Sequence, residues 1–228
     1  MQKLELLYEG KAKKVYATDD PALVIVDYKD DATAFNGAKK GTIAGKGVIN
    51  NQMTNRFMAK LETAGVPTHF VRELSERETV VKKVSIVPLE VIIRNISAGS
   101  FAKRYGVEEG IVFDEPTIEF SYKCDALDDP LLNTSHALAL KLATPEEIAV
   151  IEKYAFAVND FLKSFWSSCG VTLVDFKLEF GRLADGRLVL ADEISPDTSP
   201  LWGSKTQEKQ DKDRVSRARG GGEGADAA

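Results

Sequence analysis

Three observations predict an α+β chain. Short strand-like runs fill its N-terminal part. One long helix with clear start and stop signals spans Pro145–Cys169. Two further strand-like runs flank the turn dipeptide Asp185-Gly186. The chain has 228 residues, enough for one large domain or two closely packed lobes. Hydrophobic residues make up 43% and charged residues 29%, an ordinary globular composition. A net charge of −5 argues against nucleic acid as the main partner, so the basic groups that matter form local clusters suited to a small anion. No stretch approaches the roughly 18 apolar residues of a membrane span, and the N-terminus carries no signal-like apolar segment. Cys124 and Cys169 lack CxxC spacing. They fit a reducing cytoplasm and read as small buried side chains rather than nucleophiles. His69 and His136 have no partner at zinc-ligand spacing.

In chain order, Leu4–Tyr8 reads as a strand leading into Glu9-Gly10-Lys11-Ala12-Lys13-Lys14-Val15-Tyr16, and Ala22–Tyr28 as a buried strand. Asn36–Gly47, rich in Gly and Lys, reads as a loop. Ile49, Met53, Phe57 and Leu61 give Gly47–Ala64 a helical period that Gly65-Val66-Pro67 ends. Thr68–Leu74 and Thr79–Val87 look like strands, and a further strand through Pro88–Ile93 delivers Arg94. Ser97–Val107 holds a short helix. Thr144 as N-cap, Pro145 at the first helical position and Glu147 at the capping-box position start the long helix, and Gly170 stops it. From Pro196 onward the chain is polar, and Gly220–Ala228 has nothing to bury, so a disordered tail is expected.

The last two runs carry the most chemistry. In Leu173–Gly181, Asp175, Lys177 and Glu179 point one way while Val174, Phe176, Leu178 and Phe180 point the other. If Asp185 and Gly186 are the two central turn residues, Ala184 pairs with Arg187 and Glu179 lies opposite Asp192. Two carboxylates so placed repel each other unless a cation neutralises them, and Mg²⁺ is held by one or two carboxylates plus phosphate oxygens. An alternating charged face is also the pattern of a solvated sheet surface, and a three- or four-residue loop would break the pairing.

Other motifs suit anions. Gly10-Lys11-Ala12-Lys13 places a glycine and two lysines between strands, where a phosphate or plain solvent could lie. Val80–Val84 is a strand running out to polar residues, the sort of segment that can border an adenine or merely end a sheet. Arg94, followed by the small-residue turn through Gly99 and Ser100, suits bidentate capture of a phosphate completed by free backbone N–H groups.

The runs Pro88-Leu89-Glu90-Val91-Ile92-Ile93-Arg94-Asn95-Ile96-Ser97-Ala98-Gly99-Ser100 and Leu173-Val174-Asp175-Phe176-Lys177-Leu178-Glu179-Phe180-Gly181 resemble the two signatures of the SAICAR synthetase family. Tyr8–Lys13, Phe35-Asn36-Gly37, Gly45-Lys46-Gly47, Asp128-Asp129-Pro130, Asp192–Asp197 and Asp211–Arg214 add matches in order. The resemblance implies a two-lobed α+β fold related to ATP-grasp enzymes and protein kinases, with a β-rich nucleotide-binding lobe over residues 1–85 and a larger α+β lobe over 86–214. It implies an ATP-dependent ligase of purine biosynthesis that joins carboxyaminoimidazole ribonucleotide to L-aspartate through an acyl phosphate, in a cytoplasmic homodimer with no membrane or nucleic-acid partner. ATP and Mg²⁺ are the implied cofactors. Gly10, Lys11, Ala12, Lys13, Val15, Lys82 and Lys123 would meet ATP, with Glu179 and Asp192 holding the metal between its phosphates. Arg94 and Ser100 match the positions that hold the ribonucleotide phosphate. Asp175 and Lys177 would face the imidazole end as the catalytic pair, and Asn36 and Asp129 match site loops.

The sequence departs from the family at Thr198-Ser199-Pro200-Leu201-Trp202-Gly203. Proline stands where the family carries a phosphate-site arginine, and the usual C-terminal helix is replaced by the glycine-rich tail. Two other readings therefore compete: a nucleotide-binding protein of the same fold with impaired ligase activity, and a kinase-like phosphotransferase acting on another small acceptor.

Overall fold

The structure is a computed structural model that describes residues 1–34 and 39–203. The N-terminal half builds an antiparallel sheet from β1 (Lys3–Glu9), β2 (Lys13–Thr18), β3 (Leu23–Tyr28), β6 (Phe70–Glu73) and β7 (Glu78–Lys82), in the order β1-β2-β3-β7-β6. The central strand β3 is the apolar run Leu23-Val24-Ile25-Val26, with Val24, Ile25 and Val26 buried as expected for a strand covered on both faces. At the edge, β1 is exposed throughout. A small hairpin of β4 (Asp31–Ala34) and β5 (Lys39–Thr42) reaches into the segment read from sequence as a loop, because a glycine- and lysine-rich composition hides the pairing of two short strands. Asn36 lies outside the described residues, as do the Asp211–Arg214 match and the tail.

Helix α1 (Lys46–Thr63) packs on this sheet with an unexpectedly polar inner face. Asn50, Asn51, Thr54 and Asn55 are buried beside Phe57, Met58 and Leu61, while Ile49, taken from the periodicity as a core position, is 54% exposed. The buried amides are satisfied. Asn51 donates to the Ser75 and Glu76 carbonyls at 3.1 and 3.0 Å, and the Thr79 hydroxyl lies within reach of both the Asn51 and Asn55 amide oxygens, which share its one proton. The start of α1 is held from outside the helix. Asp30 accepts from the Gly47 and Gly45 N–H groups at 2.9 and 3.3 Å and is gripped in turn by the Arg77 fork. Gly47 has no room for a side chain, since a Cβ there would lie 2.4 Å from the Tyr28 carbonyl oxygen.

The second sheet follows from β8 (Ser85–Ile96), α2 (Gly99–Tyr105), β9 (Val112–Tyr122), a 3₁₀ turn at Asp125–Leu127, β10 (Leu131–Leu132), α3 (Thr134–Ala139), α4 (Pro145–Ser168), β11 (Val171–Leu173), β12 (Asp175–Arg182), β13 (Leu188–Ala191) and β14 (Leu201–Gly203). Its order is β10-β9-β8-β12-β13, and β11 pairs separately with β14. One apolar face carries Leu89, Val91 and Ile93 from β8 with Phe176, Leu178 and Phe180 from β12, all at most 1% exposed, against α4. Each such side chain contributes about 1.5–3 kcal/mol by leaving water. Phe57 of α1 meets Phe161, Phe165 and Trp166 of α4 edge-on at 4.9–6.0 Å, which joins the two halves through one core.

The capping box of α4 forms as the sequence dictates. Glu147 N–H donates to the Thr144 hydroxyl at 3.2 Å, and the Thr144 N–H donates back to Glu147 at 2.9 Å. Cys169, at the C-cap, is exposed rather than buried, because the helix ends at the surface. Leu201 and Trp202 of β14 are buried, so the segment after Pro196 is partly apolar and paired rather than wholly polar surface. Among the described residues no helix is long and apolar enough to cross a membrane.

The terminal hairpin corrects the sequence expectation by one residue. Leu183 N–H donates to the Arg187 carbonyl, Gly186 N–H donates to the Leu183 carbonyl, and Gly186 takes φ +84°. This is a three-residue loop closed by a left-handed glycine, not a two-residue turn. Glu179 therefore lies opposite Ala191, and the cross-strand Glu179–Asp192 pair does not form. Asp192 falls just past β13 at φ +57°, an uncommon conformation for a side chain other than glycine.

Candidate functional site

A cleft of about 1230 Å³ lies between the two sheets. Its floor is the polar face of β12 and β8. On β12 the period of two turns Lys177 and Glu179 into the cleft while Phe176, Leu178 and Phe180 enter the core. On β8 the same period brings Glu90 opposite Glu179 and Arg94 opposite Asp175. Lys177 reconciles the two acids, donating to Glu90 at 2.6 Å and to Glu179 at 3.0 Å, and Lys123 donates to Glu179 at 2.9 Å. Glu179 is only 4% exposed, so these two ammonium groups replace the water it gives up.

The roof is the β1–β2 hairpin. Gly10 N–H donates to the Lys13 carbonyl at 2.8 Å, closing a tight turn with Lys11 and Ala12 at its tip. Lys13 reaches across the cleft to pair with Asp192 and, at 3.1 Å, with Glu193. Burial disfavours the Lys13 ammonium, but the Asp192 and Glu193 carboxylates outweigh it and hold its pKa well above the ordinary value. Burial likewise opposes the Asp192 carboxylate, but Lys13 and Lys177 pull its pKa down to about 2. Lys177 behaves like Lys13: burial lowers its pKa, and Glu179 and Asp192 raise it further. Glu179 and Asp192 thus line one cleft without the hairpin register, each tied to lysines.

Other expected residues divide. Val15 and Ala12 line the cleft wall. Lys11 is largely exposed at the tip, 3.9 Å from Asp125. Lys82 lines the cleft, but its ammonium donates to the Thr68 carbonyl at 2.9 Å and lies 3.5 Å from Glu62. Asp129 sits on the rim at φ +44°, its carboxylate accepting the Cys124 N–H at 2.7 Å. Sequence reasoning missed Glu90, Glu193 and His69. The signal for Glu90 was an acid four residues before Arg94 in an apolar strand, hence on Arg94's face. His69 is buried on the cleft wall. Burial, only partly offset by Asp192, lowers its pKa to about 4 and keeps it neutral at physiological pH.

Further along β12 stands a second cluster. Arg94, 5% exposed, donates to Asp175 at 2.7 Å, to Glu119 at 2.9 Å and to the Ser100 hydroxyl at 3.1 Å. The backbone cradle expected at Gly99 is partly used, since the Gly99 N–H donates to Glu109. At about 3.3 Å per residue, Asp175 and Glu179 stand roughly 13 Å apart along β12, with Lys177 between them. One strand therefore joins two charged centres.

Glu179 and Asp192 offer hard carboxylate oxygens in one cleft, the donor type that Mg²⁺ takes one or two of before phosphate oxygens complete its shell, whereas among the described residues no group of three or more metal-ligating side chains gathers.

A cleft that sets lysines and carboxylates between a β-rich roof and a mixed α/β base has the charge and shape of an enzyme site for a polyanionic small molecule. The comparisons with known proteins make this specific. Residues 6–226 match the SAICAR synthetase family model, and the chain belongs to that family. It is 63% identical over 225 residues to the phosphoribosylaminoimidazole-succinocarboxamide synthase of Lachnoclostridium phytofermentans, covering 99% of this chain and 95% of that protein. It is 57% identical to the synthase of Coprothermobacter proteolyticus over the same shares. The fold superposes on the Ehrlichia chaffeensis synthase with a TM-score of 0.91 at 44% identity, covering 95% and 92% of the two chains. It superposes on a SAICAR synthetase in complex with ADP with a TM-score of 0.90 at 45% identity, covering 94% and 91%.

Proposed function

We propose that this chain is an ATP-dependent ligase that joins carboxyaminoimidazole ribonucleotide to L-aspartate, giving the succinocarboxamide, ADP and phosphate in purine biosynthesis. The observation that carries the reading is the single cleft in which Lys13, Lys123 and Lys177 meet Glu90, Glu179, Asp192 and Glu193 in a member of this family.

Activation of a carboxylate by ATP gathers several negative charges, so positioning and neutralisation supply most of the catalysis. In the proposed arrangement the Gly10–Lys13 turn and Lys123 border the ATP phosphates, with Val15 and the Lys82 strand end beside the base. Lys177 then stands between the phosphates and the acceptor carboxylate, able to neutralise both. The substrate carboxylate oxygen attacks the terminal phosphorus and ADP leaves. The aspartate amine next attacks the acyl carbon, phosphate departs, and the amine proton is lost. Asp175, paired with Arg94, faces the ribonucleotide end of the site. Mg²⁺ held by Glu179 and Asp192 would supply charge neutralisation between the phosphates.

The test is ADP release by the purified protein with Mg²⁺. The reading expects release only when both the carboxylated ribonucleotide and L-aspartate are present. Turnover without aspartate would point to a phosphotransferase, and thermal stabilisation by ATP without turnover to a nucleotide-binding protein. For the metal, Asp192→Asn should weaken the Mg²⁺ dependence of ATP binding, and an unchanged dependence would remove Asp192 from the metal site.

A further inference from the structure

Arg94 uses three of the five N–H directions a guanidinium offers, on Asp175, Glu119 and Ser100. Two carboxylates face this one cation, so the charge around Arg94 alone is net negative, and a second guanidinium is needed even to balance it before a dianion can approach. Position 200 adds none. Pro200 has no side-chain donor, and its carbonyl accepts the Val174 N–H immediately before Asp175. A second cation is nevertheless present. Arg104 on α2 donates to the other Glu119 oxygen at 3.0 Å, so one carboxylate, itself only 10% exposed, ties two guanidinium groups together. Ser100 and Arg104 are four residues apart on α2 and share its face toward Arg94. Arg104 is 33% exposed, and among the described residues only one of its five N–H directions is taken.

We propose that Arg104 is a phosphate-binding residue of this chain, held beside Arg94 by Glu119 so that the two guanidinium groups clasp the 5′-phosphate of the ribonucleotide. The inference rests on the ligase reading for the identity of the ligand, and on the Arg94–Glu119–Arg104 geometry for the site. Glu119 accepts one bond from each arginine, which fixes their separation while leaving donors on both. A planar fork suits a phosphate better than a point charge does. Arg104 thereby supplies the cation that proline at position 200 does not.

Calorimetric binding tests this on the full chain saturated with a nonhydrolysable ATP analogue. The ribonucleotide and the riboside lacking its phosphate are titrated into the parent, Arg104→Ala and Arg104→Lys. The expected result is a loss of roughly tenfold or more in ribonucleotide affinity for Arg104→Ala, partly restored by Lys, with riboside and ATP-analogue affinities unchanged. Equal losses for ribonucleotide and riboside would mean that Arg104 only shapes the fold, and unchanged affinities would mean that it does not reach the ligand. Either overturns the proposal. Inorganic phosphate, titrated into the same proteins, separates the two layers of inference. Arg104-dependent phosphate binding without ribonucleotide binding would sink the ligase reading and keep the anion site, and a parent that binds neither would remove both.

Discussion

Replacing Lys13 by methionine tests whether the cleft is held by charge pairing across its two walls. Lys13 is 15% exposed and faces Asp192, 24% exposed, and Glu193, 5% exposed. Methionine keeps most of the aliphatic stem but leaves two partly desolvated carboxylates without their nearest cation. Breaking a fully buried pair costs about 3–5 kcal/mol. Lys123 and Lys177 still act on Asp192, and its partial exposure screens it further, so about 2–3 kcal/mol is the expected loss at pH 7. For a chain of this size that corresponds to a fall in Tm of roughly 5–10 °C.

The pH dependence gives the sharper discrimination. In the parent the pKa of Lys13 is raised, so its contribution is complete below about 10.4 and is lost only as pH rises through the folded value. That of Asp192 is lowered from 3.8 to about 2, so its contribution is complete above 3.8 and is lost as pH falls toward 2. Between pH 4 and pH 7 the parent pairing is therefore constant. In Lys13→Met the nearest cation opposing the burial of Asp192 is gone, and the carboxylate pKa rises. Protonation then relieves the repulsion, and the difference between parent and variant should shrink from pH 7 to pH 4. Urea unfolding at the two pH values measures it. An equal difference at both, or none at either, would show that Lys13 acts by packing alone.

Three further outcomes follow from local geometry. Gly181→Ala should destabilise by about 1–3 kcal/mol, because the new Cβ would lie 2.5 Å from Val84 Cγ2, and adding Val84→Ala should recover part of the loss in the same denaturation assay. Thr144→Ala removes the capping hydroxyl of α4 and should lower stability by about 0.5–2 kcal/mol without altering ATP affinity. Asn159→Ala leaves the buried Asn95 amide without its reciprocal partner at 2.9 and 3.2 Å, which should cost about 1–3 kcal/mol, whereas a near-neutral Tm would mean that water replaces the lost amide.

Period and capping were legible because both are local. The alternation of β12 correctly assigned Asp175, Lys177 and Glu179 to one face and Phe176, Leu178 and Phe180 to the core. The signals Thr144, Pro145 and Glu147 placed the start of α4. Register was not legible, since Asp185-Gly186 suits either a two-residue turn or a longer loop with a left-handed glycine, and the choice moves every partner by one. The buried amides of α1 were hidden for a different reason. Their partners, the Ser75 and Glu76 carbonyls and Thr79, lie 24 to 28 residues away from Asn51, so polarity alone read as exposure.

The error in register did not displace the site. Glu179 reaches the cleft because β12 alternates, a property that no change in the partner strand alters. Asp192 reaches it because the chain turns at φ +57° just past β13 and meets Lys13, 179 residues earlier in the sequence. The two carboxylates are thus drawn to one cleft by separate local rules, each stabilised by its own lysines. A substitution at the hairpin tip, such as Asp185→Ala, should then alter hairpin stability through the lost Arg187 contacts at 2.7 and 3.0 Å while leaving ATP affinity unchanged. A parallel loss of ATP affinity would show that the tip fixes Asp192 after all.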